Sequence, residues 1–163
     1  MTTPAAITLR LARPGDAYEI ALMSRCLVEI GLRGWFWHPE RVAKAVLARD
    51  TCVVAAESKR KLAGFAIAEF GDTKMHLSLL AVKPTHQRCG IGLRLMDWLE
   101  ESALTAGITL IELELRANNF GARCFYHTLG FQEVRYVPAY YRGQETALRM
   151  AREIRHAQPS SAN

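Results

Sequence analysis

Two glycines stand in the stretch Gln87-Arg88-Cys89-Gly90-Ile91-Gly92, just after an apolar run and just before a helical pattern. The first amides of a helix have no partners inside it, and its dipole favours negative charge there. Glycine lets the backbone approach an anion with no Cβ in the way, and Arg88 can add a charge-assisted contact. The spacing predicts an anion cradle. A glycine turn before a helix also serves geometry alone, so other residues must decide between the two readings. Two rival phosphate motifs fail: no third glycine follows at the dinucleotide position, and no Gly-Lys-Ser/Thr follows, which excludes NAD and nucleoside triphosphates. Cys89 sits where a helix N-terminus activates thiols, but no partner base is identifiable for it.

The other chemistry-capable residues exclude more than they assign. The four cysteines form no Cys-x-x-Cys pair and the five histidines no metal-ligand spacing, so reduced thiols in a cytoplasm and no metal are expected. The net charge of +5 is dispersed, with no basic run longer than Lys59-Arg60-Lys61, so a nucleic-acid partner is not expected. An anionic small molecule accounts for the excess equally well. No apolar run reaches the ~18 residues of a membrane span, and Met1 to Ala6 lack a basic region followed by an apolar one. A chain of 163 residues, half of them hydrophobic, can bury one sizeable core. One domain over 1–154 with a disordered polar tail over 155–163 is the expectation.

Positioning the glycine turn requires a strand before it and a helix after it. Ile7 to Ala12 alternates as a strand; Asp16 is an N-cap candidate for a helix from Ala17 to Ile30, with Gly31 as C-cap. Trp35, Phe36 and Trp37 are consecutive, so they cannot share one face of a regular element. They imply a loop, with aromatics plugging the core or walling a substrate, before a short helix from Pro39 to Ala48. Strands follow over Cys52 to Glu57, Leu62 to Phe70 and Lys74 to Val82, joined by short turns that imply antiparallel hairpins. The run Leu77 to Val82 reads as a central strand buried on both faces. A helix then runs to Ala106, with Thr109 to Leu115 as a strand, Phe120 to Leu129 as a helix capped by Gly130, and Phe131 to Tyr136 and Glu145 to Arg152 as strands. This order predicts an α/β (α+β) fold: a mixed, mostly antiparallel sheet of six or seven strands with helices on both faces. Within Ile111 to Leu115, Glu112 and Glu114 share one face, either as a solvated stripe or as working carboxylates.

The segment Gln87 to Gly92 matches the Gln/Arg-x-x-Gly-x-Gly/Ala signature, and the chain resembles the GCN5-related N-acetyltransferase (GNAT) superfamily. Leu113-Glu114-Leu115-Arg116-Ala117-Asn118-Asn119, then Ala122, Tyr126, Leu129-Gly130-Phe131 and Tyr140-Tyr141, resemble the ribosomal-protein N-terminal acetyltransferase (RimI-like) branch. The resemblance spans Ile7 to Arg152 and is specific from Leu77 to Met150. It implies an acyltransferase moving an acetyl group from acetyl-CoA directly to a primary amine. It places the pantetheine arm beside Leu80, Ala81 and Val82, and the pyrophosphate on Gln87, Arg88, Cys89, Gly90, Ile91, Gly92 and Leu93. Asn119 would bind the arm, Tyr126 would act as acid beside the sulfur, and Glu114 would act as base, with Glu69 and His76 in reserve on neighbouring strands. Two proton-handling groups suit the chemistry, because attack needs a neutral amine and expels a thiolate.

Two departures from the branch bear on the acceptor. Val137-Pro138-Ala139 stands where the branch often carries arginine, and Asn118 replaces a frequent serine. A protein N-terminus, a small-molecule amine shaped by Trp35, Phe36 and Trp37, or a CoA-binding module without catalysis all remain open. Arg116 suits a phosphate, a carboxylate or a surface ion pair. A monomer and a homodimer fit equally.

Overall fold

Alternating strands and amphipathic helices assemble in the computed structural model, which describes residues 5–155. The elements are β1 (Ile7–Leu11), α1 (Ala17–Leu27), α2 (Pro39–Leu47), β2 (Thr51–Ser58), β3 (Lys61–Phe70), β4 (Lys74–Val82), α3 (Ile91–Thr105), β5 (Leu110–Arg116), α4 (Phe120–Thr128), β6 (Gln132–Tyr141) and β7 (Glu145–Glu153). They build a seven-stranded sheet of order β1-β2-β3-β4-β5-β7-β6, antiparallel except for the β4–β5 pair. The expected α+β sheet is therefore found. The anticipated tail over 155–163 lies, beyond Arg155, outside the described residues, as do Met1 to Pro4.

One core packs α3 and α4 on one face of the sheet through Ile91, Leu95, Leu99, Tyr126 and Phe131. The other packs α1 and α2 on the opposite face through Ile20, Val42, Trp37, Phe65 and Ile67. Fully burying each such aliphatic or aromatic side chain contributes about 1.5–3 kcal/mol, so both faces are firmly held. The aromatic triplet divides: Trp37 is core, Trp35 packs partly buried beside it, and Phe36 stays exposed.

Several boundaries shift for local reasons. The first helix stops at Leu27 rather than Ile30, and Asp16 does not cap it through its side chain. The Asp16 carboxylate instead binds the Arg10 guanidinium and accepts from the Arg13 amide, which takes it away from the helix amides. The sixth strand runs on to Tyr141, past the expected Tyr136, because a register irregularity between Val137 and Tyr141 absorbs Pro138.

The central strand β4 is not uniformly buried. Ile67 pairs with Leu79 and Ala68 with Leu77, which leaves Ser78 as the extra residue of a bulge. In a regular strand Leu77 and Leu79 would share a face; here Leu77 joins the α3 core and Leu79 the α1–α2 core. His76 therefore faces the α1–α2 side, while Leu80 and Val82 pack toward α3. The bulge makes one strand serve both faces.

Candidate active site

The parallel pairing of β4 with β5 covers only Lys74 to Leu77 against Leu110 to Leu113. Beyond it the two strands part, and the ladder edge of β4 from Ser78 to Val82 is left open toward β5. A cleft of about 1600 Å³ occupies this opening and runs from the start of α3 to the α1–α2 loop.

At one end lies the glycine turn. Gly90 adopts φ +79°, and Arg88 a positive φ of 61°, so the chain coils before α3 begins at Ile91. The first backbone bond of the helix is donated by the Arg94 amide to the Gly90 carbonyl. Among the described residues, no amide from Arg88 through Leu93 donates a hydrogen bond, so the turn presents an unbroken row of free N–H groups. The Gln87 side chain donates to the Val82 carbonyl at 3.0 Å and fastens the turn to the end of β4. Gly92 lies under α4, where an added Cβ would meet the Phe125 ring at 3.2 Å. Leu80, Ala81, Val82, Gln87, Arg88, Gly90, Ile91, Gly92 and Leu93 all line the cleft, whereas Cys89 does not. Its thiol turns back to the Gln87 carbonyl.

The middle of the cleft is walled by α4. The Tyr126 ring is buried between Phe125 and Phe131, with centroids 5.1 and 5.5 Å away. Its hydroxyl makes no hydrogen bond among the described residues, yet no sealed side-chain polar atom lacks a partner, so this oxygen opens onto the cleft. Burial pushes the phenol well above its ordinary range and keeps it protonated. Asn119 begins α4: its side-chain oxygen accepts from the Ala122 amide at 3.2 Å, which leaves its side-chain amide for the cleft.

The far end is polar and lies on the α1–α2 side of the sheet. Glu114 is not part of a solvated stripe; only 6% of its side chain is exposed. One oxygen accepts from Arg149 at 2.8 Å, its cross-strand neighbour, and the other meets His76 Nε2 at 2.5 Å. Burial by itself would raise the Glu114 carboxyl, but His76 and Arg149 outweigh it and hold it below the ordinary range. The hydrogen bond to Glu114 raises His76 against the opposing effect of burial. The other ring nitrogen, Nδ1, faces the Ser78 hydroxyl at 3.3 Å. Glu69 pairs in register with His76 from β3, and Tyr140 and Tyr141 complete this end, both phenols raised chiefly by burial.

The glycine turn, Tyr126, Asn119, Glu114, Glu69 and His76 are thus brought to one cleft. Arg149 and Ser78 were not legible from the sequence: the alternation of Arg149 with Leu148 and Met150 gives its face but not its partner, and a bulge has no sequence period. Arg116 is engaged by Glu145 at 2.6 Å and by the Ile30 carbonyl at 2.5 Å, so it ties the end of the α1 segment to β7. Arg142 makes a similar tie, binding the buried Glu29 at 2.5 Å; Glu29 also accepts from the Phe36 amide at 2.8 Å.

A family description, the acetyltransferase (GNAT) domain, matches residues 31–154, and the chain belongs to this family. Among curated relatives, the [ribosomal protein bS18]-alanine N-acetyltransferases of Escherichia coli K12 and Salmonella typhimurium are each 36% identical over 97 residues. Those matches take in 58% of this chain and 66% of each relative, just under two thirds of its length. The crystal structure of the E. coli ribosomal-protein-S18-alanine N-acetyltransferase aligns with TM-score 0.76 and 26% identity over 97% of this chain and all of that one. Ard1 from Thermoplasma volcanium has the same fold, with TM-score 0.81 at 21% identity over 93% of this chain and 99% of its own. No helix among the described residues is long and apolar enough to cross a membrane.

Proposed function

We propose that this chain is an acetyl-CoA-dependent N-acetyltransferase that transfers the acetyl group directly to a primary amine, with a protein N-terminal α-amine as acceptor. One observation carries the reading: a single cleft joins a row of free helix-start amides to a half-buried His–Glu pair, with an unengaged tyrosine hydroxyl opening between them. The amides suit the coenzyme pyrophosphate, and the open edge of β4 suits the pantetheine arm. The curated relatives are named for acetylating an alanine of ribosomal protein bS18, which favours an α-amine. Their bacterial setting favours the cytoplasm.

The roles follow from the proton inventory. An α-amine has an ordinary pKa of about 7.7–8.0, so its ammonium form must lose a proton before nitrogen attacks the thioester carbonyl. Glu114, held low and with both oxygens engaged, is a weak acceptor for that proton. His76 is better matched: Glu114 fixes its Nε2, and Nδ1 takes the amine proton, directly or through the Ser78 hydroxyl. The base expected at Glu114 is thereby reassigned to His76, with Glu114 orienting it and stabilising its charge. As nitrogen bonds to carbon and the carbon–sulfur bond breaks, the nitrogen's second proton passes to the departing thiolate, and the protonated Tyr126 hydroxyl donates a hydrogen bond to that sulfur. A phenol held this high is a better hydrogen-bond donor than proton donor, which refines the acid role.

Calorimetry with CoA and acetyl-CoA, combined with thiol release on N-terminal peptides, tests the proposal. Sub-millimolar binding of both and turnover that falls about 10- to 100-fold in Tyr126→Phe with unchanged coenzyme affinity are expected. Tight CoA binding with no transfer to any amine would leave a coenzyme-binding module instead.

A further inference from the structure

Beside the acceptor end of the cleft lies a second cavity of about 380 Å³ that shares Trp37, Arg41 and Glu69 with it. One face of α2 forms its wall. Arg41, Lys44, Ala45 and Ala48 fall at the spacing that aligns residues along a helix, and the two alanines leave the space that larger side chains would fill.

The charges in this cavity are unevenly matched. Glu40, largely exposed to solvent, lies 2.9 Å from His38 Nδ1. Among the described residues, neither Arg41 nor Lys44 has a carboxylate within ion-pairing distance, and Glu69 has no cationic partner. The Arg41 guanidinium is also held in place: it lies 3.7 Å from the Phe36 ring centroid and 5.1 Å from that of Trp37. A stacked guanidinium keeps its in-plane donors free, and those donors match a carboxylate. The Phe36 backbone N–H donates a hydrogen bond to the Glu29 carboxylate, which anchors this part of the stack in the fold.

Glu69 also lines this cavity, from β3, where it is in register with His76. It suits the ammonium end of an acceptor whose nitrogen must reach His76. The free cations Arg41 and Lys44 stand on α2.

We propose that this cavity is a carboxylate subsite that selects amine acceptors carrying an acidic group close to the reacting amine, as in a peptide whose second residue is Asp or Glu. The proposal rests on the transferase reading above and adds the acceptor class to it. The cavity shares Trp37, Arg41 and Glu69 with the cleft that holds His76, and in this proposal a second-position side chain turns into it while the α-amine stays near His76. A free amino acid offers the same chemistry through its α-carboxylate.

The test compares peptides that begin with Ala and carry Glu, Gln or Lys second, together with alanine and alaninamide, on the wild-type protein and on Arg41→Glu. Expected is a kcat/KM at least about tenfold higher for Glu than for Lys, with Gln between, the tenfold step corresponding to about 1.4 kcal/mol. Arg41→Glu reverses that order while CoA affinity by calorimetry stays within about twofold. A preference for alanine over alaninamide that Arg41→Glu abolishes supports the subsite with the small molecule as its source. Equal rates for Glu and Lys peptides, or an order unaffected by Arg41→Glu, overturns it. Should no amine be acetylated, the transferase reading fails, and peptide affinity for the CoA-bound protein decides the subsite separately: tighter binding of the Glu peptide, lost in Arg41→Glu, supports it, and equal binding overturns it.

Discussion

The two ends of the cleft recognise chemistry by different means. The α3 end offers main-chain amides from Arg88 through Leu93, fixed by a turn that needs Gly90 at φ +79°. The acceptor end is made of side chains from different strands: Glu69 on β3, His76 on β4, Glu114 on β5 and Arg149 on β7. Backbone recognition tolerates a varied side chain at the exposed Cys89 so long as the glycines remain. Side-chain recognition depends on its partners, because the buried Glu114 is satisfied by His76 and Arg149 together. Damage at the first end should therefore appear in coenzyme affinity, and damage at the second in turnover.

The largest separation is expected from His76→Ala. Loss of a positioned base lowers kcat by about 10²–10⁴-fold, with coenzyme affinity by calorimetry unchanged within about twofold. An equal loss in both would erase the distinction between the ends. Gly92→Val tests the opposite end: its new side chain drives into Phe125, already 3.2 Å from an ideal Cβ. Overpacking of this kind costs about 1–3 kcal/mol, expected as weakened CoA binding and a lower melting temperature, with kcat at saturating coenzyme changed far less than in His76→Ala. The smallest effect belongs to Asn119→Ala, which removes the cap on α4. About 1 kcal/mol of stability should be lost in urea denaturation, together with a several-fold rise in the Kd for CoA. A stability loss with no change in Kd would reduce Asn119 to a cap.

The same contrast explains what was readable in the sequence. The glycine turn is local: Gly90, Gly92 and the helical period after them lie within a few residues, so spacing alone describes the geometry. Tyr126 and Asn119 lie on the next short helix, and the resemblance located them. The His76–Glu114 bond joins residues on neighbouring strands, and which histidine meets which carboxylate depends on register. Register here depends on the bulge at Ser78, which turns His76 and Leu80 toward opposite faces of the same strand. Alternation correctly put Glu112 and Glu114 on one face, but not that Glu114 is buried while Glu112 pairs with Lys74 at 3.0 Å. The extent of β6 was missed because Pro138 reads as a strand terminator, and the irregularity that accommodates it is tertiary.

The most direct test of the assignment of base and orienting group is the pH dependence of kcat at saturating acetyl-CoA and acceptor, in the wild type and in Glu114→Gln. With Glu114 ionised beside it, His76 titrates above its ordinary 6.5, so it is neutral and able to accept a proton only at higher pH. The wild-type rate should thus rise through an apparent pKa above 6.5 that belongs to the coupled pair. Removing the carboxylate charge leaves burial as the dominant influence on the imidazole, so in Glu114→Gln the rising limb should move to lower pH and the plateau should fall, with CoA affinity retained. A limb in the carboxylate range in the wild type, or one that stays in place in Glu114→Gln, would contradict the assignment.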